Sequence, residues 1–157
     1  MARLVTALET RLPSTQQEGL DFGSGPGPVL AQLLAERGHR VALFDPHFAP
    51  DPAVLERRYD FVTCTEVVEH FREPGREWDK LMSLLKPGGW LGIMTKLADR
   101  WLESPELFAT WFYIRDLTHL CFYSRRTIQY LARCHGLRVE WGRDDMILLQ
   151  QSSGTVG

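Results

Sequence analysis

Glu66, Glu69 and His70 stand at i, i+3 and i+4 of one short segment, so a single helical turn gathers two carboxylates and an imidazole on a common face. That donor set suits Mg2+, Mn2+ or Fe2+ better than a structural zinc ion. A fourth donor must come from elsewhere, and His119, in the run Asp116-Leu117-Thr118-His119, is the candidate. Glu69, His70 and His119 are also the side chains able to take a proton during catalysis. Two other readings stand beside the four-donor site of Glu66, Glu69, His70 and His119. His119 acts alone as a general base, or Glu69 and His70 are a solvated turn and His119 a pocket histidine satisfied within the fold.

A second constellation lies nearer the N-terminus. The run Gly23-Ser24-Gly25-Pro26-Gly27-Pro28 follows an apolar stretch and precedes a helix-periodic one. Glycines at such a turn let a ligand approach the backbone, and the helix start offers free N–H groups. A dinucleotide fingerprint needs its third glycine at position 28, where this chain has proline. Asp45, twenty residues beyond Gly25, closes the next apolar stretch, in position to accept hydrogen bonds from both ribose hydroxyls. A nucleoside without a pyrophosphate fits both facts.

The elements that must position these groups alternate between β-rich and helix-periodic runs, which predicts an α/β, three-layer Rossmann-like sandwich. Strands are expected at 18–22, 40–44, 59–64 and 90–95, the last entered through a turn at Lys86-Pro87-Gly88-Gly89. Helices are expected at 2–12, 28–37, 74–85 and 104–113, and from an N-cap at Ser124 to His135. Leu137 to Gly142 and Met146 to Gln150 read as a closing antiparallel hairpin around Arg143-Asp144-Asp145. Between Pro46 and Arg58 the chain is proline-rich and short, leaving room for a turn or small strand near 53–56.

At 157 residues this is one domain, with an N-terminal helix and linker over 1–17 and a tail over 151–157. The 44% hydrophobic and 24% charged composition is that of a folded protein. A net charge of −2 supplies no global basic field for nucleic acid. No apolar run is long enough for a membrane span, and Glu9 and Arg11 interrupt any secretory signal, so a cytoplasmic location is expected. Cys64, Cys121 and Cys134 form no CxxC and read as buried free thiols.

Leu20-Asp21-Phe22-Gly23-Ser24-Gly25-Pro26-Gly27 resembles the first motif of class I S-adenosylmethionine-dependent methyltransferases, and Asp45 resembles their ribose-binding acid. Tyr59 to His70 is similar to the fourth strand and following segment of the group that includes the ubiquinone-biosynthesis O-methyltransferases. Leu85 to Leu91 is similar to the turn into the family's fifth strand. The four matches fall in family order over about 20–97. The resemblance implies a mostly parallel seven-stranded sheet with an antiparallel last strand, shortened here between the second and fourth strands.

It also implies site roles. Gly23, Ser24, Gly25 and Gly27 would hold the methionine part of S-adenosylmethionine, Asp21 would face its ammonium, and Thr65 and Glu66 would line the methionine end. Asp45 would take the ribose, with Pro46 and His47, and Phe48 beyond them, on the adenine side; S-adenosylhomocysteine would be the product. Glu-x-x-Glu-His followed by a distant histidine resembles the metal-dependent small-RNA 2′-O-methyltransferases, and the ubiquinone-pathway enzymes share its first part. Both imply vicinal hydroxyls on the acceptor and a Mg2+ or Mn2+ ion.

The reading is therefore methyl transfer to an oxygen of a small hydroxylated acceptor. The alternatives are a non-catalytic cofactor-binding regulatory or scaffold domain and, more distantly, a nicotinamide oxidoreductase. Trp101, Phe108, Trp111, Phe112, Tyr113, Phe122 and Tyr123 surround His119 in sequence and form either an acceptor wall or a cover over the core.

Overall fold

A computed structural model describes residues 1–14, 16–143 and 145–153. Asp144, in the middle of the expected hairpin turn, and 154–157 of the expected tail lie outside the described residues. Leu4, Val5 and Leu8 share one side of helix α1 (Ala2–Glu9), and their burial fixes how that helix lies. Leu30 and Leu34 do the same for α2 (Val29–Ala35). Both helices pack against Phe61, Trp90 and Leu148 on one face of a sheet. Gly92 lets α1 pack closely here, because a Cβ on it would stand 2.9 Å from Leu4 Cδ1 and the Leu4 side chain would have to shift.

The sheet has six strands in the order β2-β1-β3-β4-β6-β5. They are β1 (Glu18–Phe22), β2 (Arg40–Phe44), β3 (Tyr59–Thr65), β4 (Leu85–Met94), β5 (Leu137–Trp141) and β6 (Met146–Gln151). The first four run parallel, and β6 is antiparallel to both β4 and β5, which makes the expected closing hairpin. The seventh strand implied by the resemblance is not formed among the described residues. Between β2 and β3 the chain makes only a 3-10 turn, Pro52–Glu56, because Pro46, Pro50 and Pro52 lack the N–H groups a ladder needs.

The opposite face carries α3 (Pro74–Ser83) and α5 (Arg125–Cys134), whose Trp78, Leu81 and Ile128 enter the larger core with Leu20, Val62, Leu91 and Ile147. Helices thus cover both faces. The Trp78 indole donates to the Tyr123 hydroxyl (3.2 Å), which donates to the Val68 carbonyl (3.1 Å), so α3 is tied to the turn that follows β3.

Several boundaries differ from expectation. The Lys86 to Gly89 turn is absorbed into β4 as an irregularity, since pairing jumps from Tyr59↔Leu85 to Phe61↔Trp90. The run expected to be helical over 104–113 divides into α4 (Pro105–Ala109) and a 3-10 turn, Phe112–Arg115. Helix α1 stops at Glu9, short of the expected end at residue 12. Cys64 is buried, but Cys134 is exposed. No helix among the described residues is long and apolar enough to cross a membrane.

Ser124 caps α5 as expected, its hydroxyl accepting from the Thr127 N–H (3.2 Å). Ser124→Ala should therefore lower stability by about 1 kcal/mol in urea unfolding. An unchanged midpoint would show that the cap contributes nothing.

Candidate active site at the carboxyl ends of the strands

The loop after β1 turns back because Gly23 and Gly25 adopt φ of +77° and +63°, values that side chains disfavour. Gly23 also has no room for a Cβ, which would lie 2.3 Å from Val67 Cγ2, whereas beside Gly25 the space is open. The Gly23 and Ser24 N–H groups donate to the Phe44 carbonyl, which fastens the loop to the end of β2. Asp45 tightens the same junction. Its carboxylate accepts from the N–H groups of Gly25 (3.0 Å), His47 (2.8 Å) and Phe48 (3.1 Å). Burial opposes its ionisation, but these three donors outweigh burial and hold the carboxyl below its usual range.

Strand β3 ends at Thr65, and Glu66 takes φ +54°, a left-handed conformation rare for a residue with a side chain. The single helical turn expected over 66–70 is broken there, and Val68–His70 forms a 3-10 turn instead. Even so, Glu69, His70 and His119 come together, with one ligand atom from each lying within 4.8 Å of the others. Glu66 stands beside this group rather than in it, its carboxylate 3.3 Å from the Tyr113 hydroxyl.

Glu69 is fully buried. Its main-chain carbonyl accepts from the N–H groups of Leu120 (2.7 Å) and Cys121 (2.9 Å), which brings the His119 segment against the 3-10 turn that follows β3. One carboxylate oxygen accepts from Thr95 Oγ1 (3.1 Å) and the other from the Tyr113 hydroxyl. Each hydroxyl has one proton to give, and both go to Glu69. The Tyr113 hydroxyl also lies 3.3 Å from a Glu66 carboxylate oxygen and 3.3 Å from Thr95 Oγ1. Burial and the neighbouring Glu69 carboxylate push the Glu66 carboxyl upward. Burial and the bond to Glu69 likewise raise the Tyr113 hydroxyl.

The imidazoles are oriented through the main chain. His70 Nδ1 lies 3.0 Å from the Thr118 carbonyl oxygen, and His119 Nδ1 lies 2.7 Å from that of Tyr113. A carbonyl only accepts, so each ring donates from Nδ1, and Nε2 is the atom each would offer to a metal. Donation of the second ring N–H to a carbonyl is the usual support of a metal-binding histidine. The rings are 4.8 Å apart. His119 Nε2 also lies 3.6 Å from Asp116 Oδ2.

A cavity of about 760 Å³ runs from the glycine loop to Glu66 and His70, while Glu69 and His119 lie behind its wall and do not line it. Gly23, Gly25, Asp45, Pro46, His47 and Glu66 line it, together with His70 and, on the far side, Leu117, Thr118 and Leu120. Its size suits a nucleoside with a side chain. The Ser24 hydroxyl, buried with no partner, leaves a polar group in the loop for a ligand or water to satisfy. Three main-chain donors occupy most of the roughly four acceptor positions of Asp45, so one remains for a ribose hydroxyl instead of the two expected.

Some expected positions lie elsewhere. Asp21 is buried between strands, accepting from Thr63 Oγ1 (2.8 Å), and Asp21, Ser24, Gly27 and Thr65 do not line the cavity. Phe48 is exposed beside His47 and is likewise not part of the wall. Trp111 and Tyr113, packed by Trp101, Phe108 and Phe122, form a small core of their own, so the aromatic run is chiefly a cover.

Residues 1–140 match the family model described as a methyltransferase domain. The chain belongs to that family. Among curated relatives, the ubiquinone biosynthesis O-methyltransferase of Leptothrix cholodnii is 31% identical over 48% of this chain and 43% of its own length. That of Serratia proteamaculans is 35% identical over 51% of this chain and 33% of its own length, so the match spans less than half of either relative. Among solved structures, an O-methyltransferase family protein from Burkholderia thailandensis is similar over 98% of this chain and 56% of its own, with a TM-score of 0.65 and 23% identity. The small RNA methyltransferase HEN1 is similar over 98% of this chain and 25% of its own, with a TM-score of 0.64 and 20% identity. The domain is thus a class I S-adenosylmethionine-dependent methyltransferase domain.

Two polar groups of this methyltransferase site went unmarked in the sequence reading, Thr95 at the end of β4 and the Tyr113 hydroxyl. No spacing rule finds either, because both act across the fold. For the cofactor end, Asp45→Ala should weaken S-adenosylhomocysteine binding by about 1–3 kcal/mol in calorimetry. With its carboxyl held low, the bonds made by Asp45 are complete above the unfolded carboxylate range near 3.9 and fail only as pH falls through the lower folded value. Affinity should then stay flat from about pH 7 to 5. Unchanged affinity in the variant would remove Asp45 from the site.

Proposed function

We propose that this domain transfers a methyl group from S-adenosylmethionine to a hydroxyl oxygen of a small acceptor bearing adjacent hydroxyls, assisted by a divalent cation held by Glu69, His70 and His119 with Glu66 beside them. The observation that carries this reading is the grouping of the buried Glu69 carboxylate with the His70 and His119 imidazoles, each of which has Nδ1 against a main-chain carbonyl. One carboxylate and two neutral imidazoles suit Mn2+ or Fe2+ and accommodate Mg2+. Three protein donors leave positions open to a substrate. The names of the curated relatives support an oxygen acceptor.

The residues divide the work. Gly23 and Gly25 keep the loop open to the cofactor, and Asp45 fastens its ribose end. His70 stands in the cavity wall, where it joins the cofactor side to the acceptor side. Leu117 and Leu120, exposed at the far side, offer apolar contact to a flat acceptor. A divalent cation supplies charge that lowers the pKa of a hydroxyl and aligns two adjacent oxygens.

A second reading rests on the Asp116 carboxylate near His119 Nε2: the imidazole acts alone as a general base, supported by that acid. Methylation of catechol by the full chain, followed with and without EDTA, separates the readings. The cation reading expects activity that EDTA abolishes and Mn2+ restores, and that Glu69→Ala removes while S-adenosylhomocysteine still binds. Activity indifferent to EDTA would favour His119 alone, whereas cofactor binding with no transfer to any diol would mark a non-catalytic module.

A further inference from the structure

Among the groups around the proposed cation site, Tyr113 makes contacts that its place in a small aromatic core does not require. Its hydroxyl donates to one carboxylate oxygen of Glu69, while Thr95 donates to the other. Its own main-chain carbonyl accepts from His119 Nδ1 at 2.7 Å. Its ring centroid lies 4.1 Å from that of His119, and Trp111 packs on it at 5.1 Å. One buried residue therefore touches both halves of the donor set, through side chain on one half and backbone and ring on the other.

We propose that Tyr113 is the positioning residue of the cation site, holding the Glu69 carboxylate and the His119 imidazole in register with each other. This rests on the cation reading above. The physical case is one of freedom removed. An unsupported carboxylate rotates about its terminal torsion, and an unsupported imidazole chooses between two tautomers and two ring flips. With Thr95 and Tyr113 each occupying one oxygen of Glu69, the carboxylate plane is fixed, and the lone pairs left over are the only ones available to a cation. With Nδ1 of His119 held by the Tyr113 carbonyl, Nε2 is the remaining donor atom. Because hydroxyl and carbonyl belong to one residue, the two constraints cannot drift apart. Tyr113 itself lies outside the cavity wall, so it acts through Glu69 and His119 rather than on substrate or cofactor.

The test uses the full chain saturated with S-adenosylhomocysteine and titrated with Mn2+ in a calorimeter. Tyr113→Phe keeps the ring and the carbonyl and removes the hydroxyl, with its bond to Glu69 and its longer contacts to Glu66 and Thr95 (3.3 Å each). Trp101→Phe serves as the control for packing, since Trp101 stacks on Trp111 in the same small core without reaching Glu69. The expected result is one Mn2+ site in the unaltered chain, weakened about 10- to 100-fold by Tyr113→Phe, the usual effect of losing a group that supports a ligand. S-adenosylhomocysteine affinity should be unchanged in both variants, and Mn2+ affinity unchanged in Trp101→Phe. Equal Mn2+ affinity in Tyr113→Phe would overturn the positioning role and leave the cation reading standing. Equal weakening by Trp101→Phe would also overturn it, since general loosening of the core would then explain both. No Mn2+ binding by the unaltered chain would overturn the cation reading and this proposal together.

Discussion

A carboxylate with no exposure to solvent holds the working end of this domain together. Burying Glu69 without partners would cost several kcal/mol, and the fold meets that cost with two hydroxyl donors on its oxygens and two N–H donors on its main-chain carbonyl. Those donors come from the end of β4, the 3-10 turn after α4, and the segment at Leu120 and Cys121. Three stretches distant in sequence are thereby drawn to one residue, and His119 arrives beside His70 as a consequence. Removing the carboxylate alone would take from the Thr95 and Tyr113 hydroxyls the acceptor they share, so Glu69 is structural as well as the proposed cation ligand.

The cofactor end is built by a different principle. There the backbone does most of the work: two glycines with positive φ reverse the chain, the Phe44 carbonyl receives two N–H groups from the loop, and Asp45 receives three from around it. Side chains are kept out, so the cavity stays wide between the loop and the 3-10 turn after β3. Glu66 marks the border between the two designs. Its strained backbone turns β3 sharply enough for the next residues to face the His119 segment, and its carboxyl faces the buried pair of Glu69 and Tyr113.

How much of this was legible follows from the same contrast. Gly23, Gly25 and Asp45 were readable because backbone demands leave a spacing in the chain, and the parallel strands were readable from their apolar runs. The six-stranded sheet was half visible: the prolines between Asp45 and Arg58 signalled a shortened interval, while the resemblance still implied a seventh strand. The gathering of Glu69, His70 and His119 was anticipated, but through a continuous helical turn that the left-handed Glu66 interrupts. Thr95 was invisible as a site residue, and Tyr113 was named only among the aromatics of an acceptor wall or core cover, not as a partner of Glu69. Their roles arise from contacts with a residue 26 and 44 positions away, which no local pattern encodes.

In the proposed cation site, Glu69, His70 and His119 share one ion beside the cavity that His70 lines. Anomalous scattering at the manganese absorption edge, recorded from crystals of the full chain grown with Mn2+ and S-adenosylhomocysteine, tests it most directly. The account predicts a single strong peak within bonding distance of Glu69 and of Nε2 of both histidines. A peak elsewhere, or S-adenosylhomocysteine in the cavity with no manganese beside it, would contradict it.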